Sequence, residues 1–232
     1  MRVWKEGTSA LLMLGVVMLA CACSSSDSSG DSGGGGPGPD PSDSTPDFQV
    51  QPTEVYSGFD GTNTFHMPFA AYGAGSDLKA AVADSSVVSI EPTTFQGDPS
   101  DTGKWYMLTA KKAGKTKVTV TSGGKTKDVN VTIVGYDTSR FQAGKTRYTT
   151  ADGDQPPCAQ CHSKSDGPDH SPYKLAPIAD NQVQLIITTG ILDGFPIKNV
   201  EHGHRWTPND DQLAGLVTYL RALPPRGFSG AP

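Results

Sequence analysis

The sequence predicts a multidomain chain in which an all-β sandwich is followed by an all-α domain, and three observations carry that reading. Residues 24–47 consist almost entirely of Ser, Gly, Pro and Asp, a composition without apolar side chains to offset the entropy of ordering the backbone. Residues 48–135 are short β-rich runs divided by turn residues. After Gly135 the apolar spacing moves from two towards the helical period. The predicted organisation is a signal segment at 1–23, a linker at 24–47, a β-sandwich at 48–135 and a helical domain at 136–228.

In the β part, strand-like runs fall at Phe48–Gln51, Thr62–Phe69, Val87–Ile90, Trp105–Thr109, Lys117–Thr121 and Val129–Val134. The last two alternate clearly between apolar and polar residues, and Ser122-Gly123-Gly124-Lys125 between them is a hairpin signal. Six or seven strands in so short a stretch predict two packed sheets. His66 and Met67 fall in one of these strands, where a lone histidine is weak evidence of a site.

In the helical part, Asp137-Thr138-Ser139 predicts the cap of a short helix that carries Phe141, Gly144 and Tyr148 on one face. Pro156-Pro157 end that region. A second helix is predicted over Asp180–Thr189, burying Val183, Ile186 and Ile187 and ending at Gly190. Thr207 with Pro208 at the first helical position and Asp210-Asp211 in the first turn marks the start of a third. Its apolar face is Leu213, Leu216, Val217 and Leu220, and it stops at Leu223 before Pro224-Pro225.

Charge excludes one function class. The formal charge of −5 resides mostly in the linker, because 48–135 carries 8 acidic and 8 basic residues and 136–232 carries 10 and 9. Neither part has the basic excess that nucleic-acid binding requires. The N-terminus reads as an export signal, with Arg2 and Lys5 followed by an uncharged apolar run from Ala10 to Ala22 that is short for a membrane span. That run ends in Leu19-Ala20-Cys21-Ala22-Cys23, which resembles the bacterial lipobox. The resemblance implies lipidation of Cys21, with Cys23 the alternative, and a location in the cell envelope, anchored to a bacterial membrane and facing the periplasm or the cell surface. The linker then serves as a flexible tether.

With those cysteines assigned to processing, Cys158 and Cys161 remain, in Cys158-Ala159-Gln160-Cys161-His162. This is C-x-x-C-H, the attachment signature of haem c. Positions i and i+3 of a helical turn face one side, so two thiols can each add to a vinyl group of one porphyrin while His162 reaches the iron. A redox-active disulfide would use the same spacing in a βαβ context, which is not evident here. A zinc site would need further ligands from His170, His202 or His204.

Two family resemblances follow. The segment 105–134, ending in Ala110-Lys-Lys-Ala-Gly114 and the Val118 to Ile133 stretch, resembles bacterial Ig-like domains of group 2, which implies a spacer or adhesive module without catalytic residues. Residues 136–223 resemble monohaem cytochrome c domains: Gly144 and Tyr148 precede C-x-x-C-H, and Thr207, Leu213, Leu216, Tyr219, Leu220, Arg221 and Leu223 match the family's last helix. The expected fold class is thus an all-β Ig-like sandwich followed by an all-α cytochrome c-type haem domain.

The second axial ligand departs from that family's commonest pattern, because the methionines are residues 1, 13, 18, 67 and 107, all ahead of the helical part. The loop before the last helix instead holds His202 and His204, and imidazole is a good iron ligand. His204 begins an H-x-W-T run that resembles cytochrome c domains with histidine in place of methionine. His202 is the alternative, His170 is more remote, and an open position is a further case. Two imidazoles predict a six-coordinate, low-spin iron with a lower potential than a His/Met site. The expected function is electron transfer by an exported, lipid-anchored protein with one covalent haem c, its iron held by His162 and His204, serving redox protein partners. No enzymatic bond chemistry is expected. The alternative is a haem-linked sensor or a cell-surface module in which the Ig-like part contacts a partner.

Overall fold

Period-two patterning organises the first half of the chain, and the computed structural model describes residues 47–163, 169–192, 194–197 and 204–229. Eight strands come first: β1 (Gln49–Gln51), β2 (Glu54–Phe59), β3 (His66–Tyr72), β4 (Lys79–Val82), β5 (Val88–Phe95), β6 (Lys104–Ala110), β7 (Gly114–Ser122) and β8 (Lys125–Gly135). The β7–β8 hairpin turns at Gly123 and Gly124, whose φ of 57° and 72° suit a tight two-residue turn. Val118 and Val120 of β7 and Val129, Val131 and Ile133 of β8 face inward, while Lys117 and Asn130 face solvent. β2 and β4 lie outside the sequence expectation.

The remaining elements are α1 (Thr138–Thr149), α2 (Ala159–His162), α3 (Pro172–Leu175), α4 (Asp180–Thr189), a small hairpin of β9 (Ile191–Leu192) and β10 (Phe195–Pro196), α5 (Asp210–Arg221) and β11 (Phe228–Ser229). One sheet runs β2-β8-β7-β4, with β2 parallel to β8, and the other β1-β3-β6-β5-β11. Their inner faces share a core that includes Val50, Val55, Met67, Phe69, Val88, Leu108, Val118 and Val131.

Local chemistry explains the helix ends. Asp137 caps α1 by accepting from the Ser139 N–H at 2.9 Å, and Gly190 ends α4 in the left-handed region at φ 68°. α5 begins later than the Thr207 signal. Asn209 is the cap, in a reciprocal pair with Gln212 at 2.9 and 3.0 Å. Thr207 is engaged elsewhere: its N–H donates to Gln155 Oε1 and its hydroxyl accepts from Gln155 Nε2.

The expected fold class, an all-β Ig-like sandwich followed by an all-α cytochrome c-type haem domain, does not hold. The described chain is mostly β-sheet, its five helices are short, and two of them are single turns of four residues. No separate all-α domain forms because the helices complete their burial and hydrogen bonding against strands. β11 pairs antiparallel with β5, through Phe228↔Phe95 and Ser229↔Thr94. The Tyr56 N–H donates to the Ala176 carbonyl at 2.8 Å, and the Tyr136 hydroxyl donates to Asp180 Oδ2 at 2.7 Å. The described residues lie in one compact unit.

α1 and α5 cross in direct backbone contact. A Cβ on Gly144 would lie 1.9 Å from the backbone of Gly215, and one on Gly215 would lie 2.2 Å from the Arg140 carbonyl oxygen. Gly144→Ala is therefore expected to destabilise the protein by roughly 1–3 kcal/mol or more, since backbone cannot yield as a side chain can. Urea denaturation of the variant measures this, and an unchanged midpoint would remove the crossing from the account of stability.

Candidate functional site

Pro156-Pro157 bring the chain out of the α1 region and α2 follows as a single turn. Within it the Cys161 and His162 N–H groups both donate to the Cys158 carbonyl, at 3.2 and 3.1 Å. The helical phase puts the two cysteines on one side. Both are free thiols, Cys158 partly buried and Cys161 exposed. Burial pushes the Cys158 thiol above its ordinary range, against the opposing charge of Arg147.

His162 is buried at 6% exposure and faces a narrow cavity of about 50 Å³. Tyr148 of α1, Val183, Ile186 and Ile187 of α4, and Leu216 and Leu220 of α5 form its apolar walls, and His170, Leu175, His204 and Trp206 close it. The His204 ring lies 6.1 Å from that of His162, at 82°. The His170 ring stacks on His162 at 3.4 Å and 21°.

His204 is held firmly. Its φ of 49° is the one positive value at a non-glycine position among the described residues, a conformation that costs on the order of 1–3 kcal/mol and persists only where surroundings impose it. Trp206 imposes it from one side, with its ring 4.6 Å from the imidazole, its Nε1–H donating to the Pro156 carbonyl and its backbone N–H to Ile187. His204 Nδ1 and His170 Nδ1 are buried without hydrogen-bond partners.

These distances separate the two neighbours of His162. One metal ion between two imidazoles takes up two bonds of about 2 Å plus roughly an ångström from each nitrogen to its ring centre, about 6 Å in all. His204 matches that span and His170 does not. Among the described residues no set of three or more His, Cys, Asp or Glu side chains is arranged to hold a metal ion. Two imidazoles at this separation would suit a metal whose other donors come from its own macrocycle, and the two thiols beside His162 would suit that macrocycle's covalent attachment. The donor set fits haem c.

The structure thus brings Cys158, His162 and His204 to one cavity, with Cys161 one turn along α2 from Cys158. His202, Cys21 and Cys23 lie outside the described residues. His66 sits apart in β3, with its Nδ1 3.1 Å from Thr109 Oγ1. The stacking of His170, the grip of Trp206 on Pro156, and a hydrogen bond of 3.1 Å from Arg226 Nη2 to the His162 carbonyl had no sequence signal.

No family model matches the chain, and no curated protein matches it. The resemblances to monohaem cytochrome c domains and to group 2 bacterial Ig-like domains are corrected accordingly: family membership is unsupported, and the mostly β architecture departs from the all-α fold that the first implied. Solved structures similar to the chain include the surface layer protein SbsC, domains 1-6, at 16% identity and a TM-score of 0.28, covering 38% of this chain and 12% of that one. They also include the S-layer protein SbsC, domains 5-6, at 18% identity and a TM-score of 0.27, covering 38% and 42%. The chain spans less than half the length of either, and its function is read from its own residues.

Burial, then the neighbouring imidazoles of His162 and His204 and the Arg226 guanidinium, lower the His170 pKa to about 3. Burial also lowers that of His204, against a hydrogen bond with Ile186. Between pH 3 and the ordinary value of 6.5 the unfolded chain binds more protons than the folded one, so stability is complete above about pH 6.5 and is lost as pH falls. The urea midpoint of the haem-free protein is expected to drop between pH 7 and 4, and His170→Leu to flatten that drop. A pH profile unchanged in the variant would refute the assignment.

Proposed function

We propose that this protein is a one-electron carrier in which Cys158 and Cys161 would hold a single haem c covalently and His162 and His204 would ligate its iron. The observation that carries this is the meeting of a C-x-x-C-H turn with a second buried imidazole 6.1 Å from the first, across an apolar cavity. Bound there, haem supplies one-electron exchange between ferric and ferrous iron, the electron arriving from one redox protein partner and leaving to another.

The chain's own residues have separate tasks. Cys158 and Cys161 are free thiols and would hold the group covalently, each S–H adding across a vinyl group with nothing released. Trp206 and the positive φ of His204 fix the second ligand. The aliphatic side chains of α4 and α5 keep water from the metal. His170 must give way, because a cavity of about 50 Å³ is far below the several hundred Å³ typical of a cofactor site. With two imidazoles and no thioether from methionine, the potential lies below that of a His/Met site. Met67 and Met107 are packed in strands, away from the cavity walls.

Export and lipid anchoring at Cys21 or Cys23 are part of the same reading. They rest on the N-terminal sequence alone and place the carrier in the cell envelope, where covalent attachment retains its cofactor.

The test is expression of the full chain in cells that attach haem c. The denatured protein is expected to keep a haem stain that Cys158→Ala with Cys161→Ala abolishes. The native protein is expected to be low-spin, with the low-spin EPR signal lost in His204→Ala and kept in His170→Ala. A mature protein without covalent haem sinks the proposal, and a low-spin signal that survives in His204→Ala sinks the ligand assignment.

A further inference from the structure

Beyond the cavity wall, a small charged cluster lies against the backbone of His162. Pro224-Pro225 end the run-out of α5, Arg226 follows, and Gly227 at φ 80° turns the chain into β11. The Gln96 N–H donates to the Gly227 carbonyl at 2.6 Å, and a Cβ on Gly227 would press within 2.9 Å of the Phe95 ring. This clip fixes Arg226 between sheet and site. Its Nη2–H donates to the His162 carbonyl at 3.1 Å, and its Nε lies 3.8 Å from Asp169 Oδ1. Asp169 is held in turn by the Ser171 N–H and hydroxyl, both at 2.8 Å.

Both charges lie beside the cavity, Arg226 on the His162 carbonyl and Asp169 3.8 Å from Arg226. A positive charge near a metal favours the state that has gained an electron, and a negative charge favours the state that has lost one.

We propose that Arg226 and Asp169 are opposed positioning charges that set the reduction potential of a metal held by His162, Arg226 raising it and Asp169 lowering it. This rests on the haem reading of the site. Arg226 acts through the main chain and the field at His162, not by touching the metal. It is half exposed and Asp169 is one-quarter exposed, so salt weakens the effect without abolishing it.

The experiment is spectroelectrochemical titration of the haem-loaded full chain and of Arg226→Gln, Arg226→Lys and Asp169→Asn, at low and high ionic strength. Arg226→Gln is expected to shift the ferrous-to-ferric equilibrium about five- to twentyfold towards ferric, less so in high salt. Arg226→Lys should stay close to the parent and Asp169→Asn should shift the other way, with the low-spin spectrum and circular dichroism unchanged throughout. The proposal is overturned if Arg226→Gln leaves the potential in place, if Arg226→Lys falls as far as Arg226→Gln, or if Asp169→Asn moves in the same direction. Loaded protein with an unmoved potential defeats this inference alone, whereas a chain that takes up no covalent haem defeats the proposed function and this inference together.

Discussion

The helices stay on the sheets through one buried guanidinium. Arg221, near the end of α5, has a side chain only 2% exposed and is engaged at all three nitrogens. Nε and Nη2 donate to Asp180 Oδ1 at 3.1 and 2.9 Å, Nη1 donates to the Leu175 carbonyl at 2.6 Å, and Nη2 also donates to the Ile178 carbonyl. The other oxygen of Asp180 accepts from Tyr136, which follows β8. One side chain therefore fastens α5 to the start of α4, to the turn after α3 and to the exit from the sheet. A charge so deeply buried is tolerated because its counter-charge and acceptors surround it, and losing one partner would leave the others costly to keep dry. Burial and the Asp180 charge push the Tyr136 phenol far upward, so it remains a neutral donor.

That fastening is what makes the cavity. Its walls come from α1, α4 and α5, and each has a different anchor: the glycine crossing for α1 against α5, the Arg221–Asp180 pair for α4, and β11 for the chain beyond α5. His162 and His204 come from a four-residue turn and an irregular loop, elements with little rigidity of their own. Their rings lie 6.1 Å apart, framed by helices that are tied to the sheets.

What was legible in the sequence follows the length over which a pattern repeats. The β7–β8 hairpin, α1 with its Asp137 cap and α4 with Gly190 each repeat a period several times or carry a specific end signal. β9, β10 and β11 are two residues each, too short for any period to be expressed. Their pairing, and with it the union of strands and helices, was invisible. In the site, Cys158, Cys161 and His162 stand out in the sequence by their spacing and His204 by its place before a helix, and Cys158, His162 and His204 line one cavity. His170 was not resolved, since whether it stacks on His162 or faces it depends on the path of a loop. Arg221 was read as part of a helix pattern, whereas its position reflects the carboxylate of Asp180, 41 residues earlier in the chain.

The pairing of β11 with β5 has a consequence in time. Synthesis runs from the N-terminus, so residues 158–162 emerge well before Phe228 and Ser229 reach the sheet. Until that edge forms, Arg226 has no fixed seat and the His162 turn lacks one of its braces. The turn that carries Cys158 and Cys161 is therefore fully braced only once the last strand of the described chain has reached the sheet.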